Sequence, residues 1–526
     1  MSYTPSFGTI ESTGEPIGAP KAESPFRIGF LADFSGRQNR GLTGDSSDIA
    51  ARKMLRISRD TLDDVMAMLG VQLTVPVGDS GDQATLSFAS LDDFHPDQVH
   101  DRVDYIVDLY DAGEKSAAMN SVLHHPDFQA LESAWRGLAW LLSRAAKGKV
   151  EVAIIDISLA ELAADLKASE NLSESGLNRL LIEKGVRGPQ GEPWAMFVGD
   201  YSFDLSGEHA ELLGRIAKIV AQTSAPFLTT VNRQVLDKSF KLADDAAPAW
   251  QALRELPETV FLGLAVPRFL LRLPYGENTT SIDKFSYEEM PGTPDKSHYL
   301  WGNPALGCAA LVAHAFHKAG WGCDPGTDLA LEDLPIHIYT VDGDQEVTLA
   351  EAWLARPQTE QLVKLGIMPL LCVRGKGAMQ LLRLLSVAQP PAEHLACDLW
   401  GRWIESGVAP APTVARLAGG AKVGMVGEVV KPRPGSSAAP AAAPAAAAPR
   451  PKVGPAGTVS APPAAPPPAP TPPPVVQEPE PEPEPEETVA AETTEATTEA
   501  AETPAAEAPA EEEMDPELAA LLKQLE

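Results

Sequence analysis

The chain has 526 residues, 44% of them hydrophobic, and carries 73 acidic against 42 basic side chains for a formal net charge of −31. That length allows two to four domains with a large buried core, and the acidic balance without a Lys/Arg cluster excludes recognition of a phosphate backbone as the main activity. Four cysteines without CxxC spacing (Cys308, Cys323, Cys372, Cys397) exclude a disulfide framework or a cysteine zinc site.

Residues 1–24 are rich in Gly, Pro, Ser and Thr and are expected to form a flexible arm. They show no basic stretch leading into an apolar run, and nowhere does an apolar run of about 18 residues occur, so a cytoplasmic, soluble protein is expected. FRIGFLADF alternates and carries aromatics, which predicts a strand; KMLRIS predicts a second. TLDDVMAMLG predicts a helix, because Leu62, Val65, Met66 and Leu69 recur at helical spacing. VQLTVPV and ATLSFASL read as strands, and the stretch after them turns into a helix with Pro96 in its first turn.

From Pro126 to Leu142 the apolar stripe Phe128, Leu131, Trp135, Leu138, Leu142 predicts a strongly amphipathic helix. KVEVAIIDIS, WAMFVGDYSF and the end of HAELLGRIAKIVAQTSAPFLTTV then alternate as strands with helical segments, the pattern of a mainly parallel α/β layer. Residues 249–273 read as a helix ending near VPRFLLRLPYG, and 304–319 as another, whereas LPIHIYTV and IMPLLCVRG read as strands around a helix at EAWLARPQTEQLVKLG. The expected fold class is therefore α/β: an α+β unit over 25–115, a mixed α/β domain over 116–391 and a connecting segment over 392–430.

Residues 431–514 are Ala/Pro-rich and then Glu/Pro-rich, with almost no large apolar side chains. Such a stretch cannot offset its ordering entropy by burial, so a long disordered C-terminal tail is expected. It leads to DPELAALLKQLE (515–526), in which Leu518, Leu521, Leu522 and Leu525 form one apolar face behind Asp515 and Pro516. A helix of about a dozen residues is marginal alone, so this one is expected to bind a partner.

Candidate chemistry is sparse. His124 and His125 stand beside Asp127 and Glu132, but adjacent histidines ahead of Pro126 diverge, unlike ligands one helical turn apart. Trp135 and Leu138 suit core packing, and Arg136 can pair with an acidic neighbour. Arg268 and Arg272 share a face if their helix persists, with Glu288 and Glu289 as partners for an internal network. Asp33 ends a strand where carboxylates are often catalytic, yet Ser35 and Gly36 after it suit a turn. No phosphate loop, HExxH or GxSxG occurs, and RGKGAM lacks the required spacing. No catalytic, cofactor or metal residue is expected, and the chain reads as a building block rather than an enzyme.

Two stretches carry a resemblance. PFRIGFLADFSG (25–36) and SFASLDDFHPDQV (87–99) resemble the small sheath subunit of the bacterial type VI secretion system, the TssB/VipA family. LHHPDFQALESAWRGLAWLL (123–142), VPRFLLRLPYG (266–276) and YLWGNPALGCAALVAHAF (299–316) resemble its large subunit, the TssC/VipB family. The resemblance implies a fused structural component of a contractile sheath, with self-association or other sheath subunits, an Hcp-type tube, a baseplate and a ClpV-type AAA+ unfoldase as partners, and neither nucleic acid nor membrane insertion. It implies structural or assembly roles for Asp33, Phe34, Gly36, Asp93, Phe94, Trp135, Arg136, Gly137, Arg268, Arg272, Trp301 and Asn303. After Pro391 the likeness stops, and the basic, aromatic motif of the large subunit's C-terminal region has no counterpart here. The alternative is therefore a sheath-derived adaptor or regulator that binds sheath, baseplate or unfoldase through its tail.

Overall fold

The computed structural model describes residues 3–10, 20–21, 23–42, 46–78, 81–145, 148–189, 191–326, 328–341, 344–389 and 395–396. The expected tail at 431–514 and the terminal helix with Leu518, Leu521, Leu522 and Leu525 lie outside the described residues, as does nearly all of 392–430.

In chain order the N-terminal third runs β1 (Phe26–Ala32), α1 (Ser46–Ala51), β2 (Leu55–Ile57), α2 (Leu62–Leu69), β3 (Val71–Val77), β4 (Asp82–Phe88), α3 (Pro96–Arg102), α4 (Asp104–Asp108) and α5 (Ala112–Leu123). Then come α6 (Pro126–Ala145), β5 (Val150–Asp156), α7 (Leu159–Lys167), α8 (Gly176–Asn178), β6 (Met196–Phe203), α9 (Gly207–Ala221), β7 (Phe227–Val231), α10 (Ala247–Glu255), β8 (Leu262–Val266), β9 (Phe269–Leu270) and β10 (Trp301–Gly302). The last described elements are α11 (Pro304–Ala319), β11 (Ala330–Leu331), β12 (His337–Val341), β13 (Asp344–Thr348), α12 (Arg356–Lys364), β14 (Ile367–Cys372) and β15 (Met379–Leu381).

One nine-stranded sheet organises the body, in the order β11-β15-β14-β8-β7-β6-β1-β5-β2. The run from β14 to β5 is parallel, and β2, β15 and β11 close its ends antiparallel. One of its interior strands comes from the N-terminal segment: β1 lies between β5 and β6, pairing Phe26 to Val150 through Ala32 to Asp156 on one side and Ile28 to Met196 through Leu31 to Gly199 on the other. The N-terminal segment therefore has no large sheet of its own, and 115/116 is not a boundary within this one. It also supplies the edge strand β2, beside β5, while β3 and β4 form a separate hairpin.

A parallel strand covered on both faces must be apolar throughout, and all seven residues of β1 are buried. Phe26, Ile28 and Phe30 join the core under α6 and α11, while Leu31 faces the opposite core under α7, α9 and α10. Helix α6 buries its whole expected stripe, Phe128, Leu131, Trp135, Leu138 and Leu142. Gly137 lets it approach α11, since a Cβ there would stand 2.7 Å from Leu306 Cδ1.

Two expectations change. The helix over 249–273 stops at Glu255 because Pro257 follows it and opens a 3-10 turn over Pro257–Phe261, and LGLAV after it is instead a buried strand; a short fully apolar run has no periodicity to separate the two. The helix after β4 is broken into α3, α4 and α5, with Val103 and Leu109 extended between them.

Because β1 is an interior strand paired on both edges, residues 116–526 expressed alone should be insoluble or molten, and co-expression with residues 1–115 should restore a cooperative melt. A cooperative transition from 116–526 by itself would contradict this topology.

Candidate functional site

The loop after β1 is built from side chains at two strand ends. Asp156, closing β5, accepts hydrogen bonds from the Phe34 and Ser35 amides at 2.8 and 3.1 Å and from Ser35 Oγ at 2.7 Å. Asp33 accepts from the Arg37 and Gln38 amides at 2.6 and 2.8 Å. Burial raises the pKa of both carboxyls, and Asp33 adds to the rise at Asp156. Gly36 turns the chain at φ +72°, where a Cβ would meet Gln72 O at 2.2 Å, so no other residue fits without displacing β3. Phe34 O receives the Trp135 indole N–H at 2.8 Å, and the two rings meet edge to face at 5.1 Å.

Beside this loop Glu161 binds two arginines of the N-terminal segment. Arg37 Nε donates to both its oxygens at 3.0 and 3.2 Å, and Arg52 Nη2 at 2.5 Å, while Arg52 Nη1 also holds Asp156 O at 2.6 Å. Burial alone would raise the Glu161 pKa, but these hydrogen bonds bring it down to about 2. Glu161 is also the far member of a capping box with Ser158 at the start of α7.

A second ionic centre lies under α6. Arg272 Nε donates to Glu132 Oε1 at 2.9 Å and its Nη1 to Glu289 Oε2 at 2.8 Å. Arg136 Nε reaches Glu132 Oε1 at 2.6 Å and its Nη2 the Tyr275 hydroxyl at 3.1 Å. Desolvation works against charge on Arg272, yet Glu132 and Glu289 outweigh it and raise its pKa; the positive charge of Arg272 and its hydrogen bonds in turn overcome burial at Glu289 and hold it at about 2. His124 Nε2 lies 3.4 Å from Glu289 Oε1, and its ring stacks on His298 at 4.0 Å.

The remaining singled-out residues fall elsewhere. Asp93 accepts from the Ala89 and Ser90 amides and pairs with Arg102, and Phe94 stacks on Phe88 at 4.2 Å. Arg268 is not on a helical face with Arg272: it pairs with Glu351 at 2.7 Å. Glu288 instead accepts from the Glu277 amide at 2.9 Å. Trp301 donates to Lys296 O. Asn303 caps α11 through Ala305 N and donates to Gly199 O and Tyr201 O, where β6 shifts register.

Sequence reasoning missed Asp156, Arg37, Arg52 and Glu351. Glu161 was missed too, although the S-x-x-E capping-box pattern from Ser158 could have pointed to it, whereas nothing in the sequence points from Arg268 to a partner 83 residues on. The carboxylates gathered here are taken up by backbone amides and guanidinium groups, and among the described residues no three His, Cys, Asp or Glu side chains are placed to hold a metal ion. The arrangement ties the N-terminal segment to the sheet and to α6 and α7.

Comparison with known proteins follows the same two segments. Residues 113–386 match the family model VipB, described as EvpB/VC_A0108, tail sheath N-terminal domain. Residues 15–133 match T6SS_VipA, described as type VI secretion system, VipA, VC_A0107 or Hcp2. The chain is 33% identical over 316 residues to the type VI secretion system sheath protein TssC1 of Pseudomonas aeruginosa, an alignment that covers 56% of this chain and 62% of that protein. A search of solved structures returns the baseplate of the anti-feeding prophage at 10% identity and a TM-score of 0.28, covering 74% of this chain and 70% of that one, a likeness too weak to bear on the fold.

Arg272→Met should destabilise the protein by about 3–5 kcal/mol at pH 7, because Glu132 and Glu289 are left buried with less counter-charge; urea denaturation measures it, and a loss below about 1 kcal/mol would mean that the centre is hydrated. The carboxyls of Glu161 and Glu289, ordinarily near 4.5, sit at about 2 in the fold. On acidification the unfolded chain therefore takes up these protons first, so their contribution is full above pH 4.5 and is lost as pH falls toward 2. Wild type should lose melting temperature steeply across that window and Arg272→Met less steeply; parallel curves would contradict the assignment.

Proposed function

The chain belongs to the VipB tail-sheath family, and from that premise we propose that it is a fused structural subunit of a type VI secretion contractile sheath, one polypeptide supplying both a small-subunit-like and a large-subunit-like segment. The observation that carries this reading is the position of β1. The strand contributed by the VipA-matching stretch pairs on both sides with strands of the VipB-matching stretch, so the two form one load-bearing layer rather than two tethered modules. Fusion then holds them at one-to-one stoichiometry and makes their pairing intramolecular.

The segments work as a non-enzymatic building block in this reading. Its partners are further copies or other sheath subunits, with an Hcp-type tube, a baseplate and a ClpV-type unfoldase as neighbours in the assembled machine. The setting is the bacterial cytoplasm; among the described residues no helix is long and apolar enough to cross a membrane. The leucines of 515–526 are the recruitment element in this reading.

A second reading is favoured by one fact: the matched model is the sheath N-terminal domain, and the chain spans 62% of the length of the curated relative. In that reading the protein serves as an adaptor at a sheath end, baseplate or unfoldase. Negative-stain electron microscopy of the purified protein, alone and with the proteins encoded beside it, separates the two. Tubes or rings support the sheath subunit; monodisperse particles that bind only the end of a preformed sheath would overturn it in favour of the adaptor.

A further inference from the structure

Residues 3–10 lie in a groove on α9. The Tyr3 ring rests on Gly207, where a Cβ would stand 2.5 Å from Tyr3 Cδ1, and the Phe7 ring fills the space over Gly214, where a Cβ would come within 2.2 Å of Phe7 Cδ1. Gly214 sits in the middle of a helix, where glycine is a poor choice; its use there is explained by the ring it admits. Between the two aromatics the backbone itself is read. Arg215, 2% exposed, donates Nε to Ser6 O at 2.9 Å while its Nη1 is held by Leu166 O and Ser169 O.

Lys218 Nζ donates to Gly8 O at 2.6 Å, and Thr9 pairs with the loop after α7 through Thr9 N to Glu170 O and Leu172 N to Thr9 O, at 2.6 and 2.8 Å. Tyr3 Oη donates to Glu211 at 2.6 Å and Ser6 Oγ to Glu170 at 2.8 Å. Two ring notches seven residues apart on one helical face and two cations on alternate carbonyls form a built receptor, which a merely flexible arm would not need. Tyr3 also stands at a cleft of about 530 Å³ that includes Asp204, Ser206, Asn232 and Lys241, at the carboxyl ends of β6 and β7.

We propose that this face of α9 is a docking groove for an extended peptide with aromatic residues four apart, and that the protein's own Tyr3–Thr9 segment occupies it as a detachable strap across the cleft. The inference does not depend on the sheath reading, since every contact is within the body. It corrects the expectation that all of residues 1–24 form a free arm: residues 3–10 are bound.

Full-length variants test it. Gly214→Ala favours the helix but closes the Phe7 notch, so chymotrypsin cleavage after Tyr3 and Phe7 should rise roughly tenfold, as it follows the open population, with no loss of melting temperature. Phe7→Ala should vacate the groove, so that a labelled synthetic peptide SYTPSFGTIE binds it saturably while binding neither wild type nor Phe7→Ala/Gly214→Leu. Unchanged cleavage in Gly214→Ala, or equal peptide binding by all three proteins, would overturn the groove. A Tyr3→Cys/Gly207→Cys pair, whose Cβ positions adjoin, should form its disulfide within one chain; a disulfide-linked dimer would place a second copy's segment in the groove and overturn the strap.

Discussion

The structure depends on one short strand lying in the middle of a sheet that the rest of the chain builds. β1 hydrogen-bonds to β5 on one edge and β6 on the other, so without it the sheet would split into a six-stranded and a two-stranded piece with unpaired edges. An unpaired central edge leaves buried amides and carbonyls without partners, which the fold cannot bear. The seven residues of β1 are accordingly apolar enough for both faces, apart from Arg27, whose guanidinium stacks over Trp194 at 4.0 Å and donates to Gly185 O and Glu192 O.

Polar contacts set where that strand sits. Apolar β1 residues would pack in more than one register, but Asp156 recognises the Phe34 and Ser35 amides, and Trp135 recognises Phe34 O, only when β1 stops where it does. Glu161 then draws Arg37 and Arg52 onto α7. Buried ion pairs are weak evidence for added stability; the geometry here makes them register markers. The Arg272 centre does the same for α6, joining it to the segment after β9 and to Glu289. If the chain is the sheath subunit proposed above, a seam locked in register between its two segments is the property that role needs most.

Much of this was legible in the sequence because the periodic signals were strong. The α6 stripe, the Asn303-Pro304 start of α11 and the β3–β4 hairpin all follow from local patterns. The β8 strand was not: 262–266 is apolar without a period, and only its parallel neighbours decide that it is extended. The sequence also could not show β1 entering between β5 and β6, since the partners lie more than a hundred residues away and parallel pairing leaves no hairpin signal. Of the candidate site residues, Asp33 and Gly36 were readable as turn chemistry, whereas Arg268 was assigned to the wrong neighbours because its helix does not exist. The α9 groove was invisible because its key residues, Gly207 and Gly214, are informative only once the Tyr3 and Phe7 rings are seen over them.

Native-state hydrogen exchange on β1 tests the central claim most directly, because amides in the middle of a sheet open only with the whole fold. The amides of residues 28–32 should exchange with the same free energy as those of β5 and β6, equal to the global unfolding free energy from denaturant titration. Exchange of β1 through a cheaper, local opening, with β5 and β6 still protected, would show that the N-terminal segment is an attachment to a self-sufficient sheet and would contradict this account.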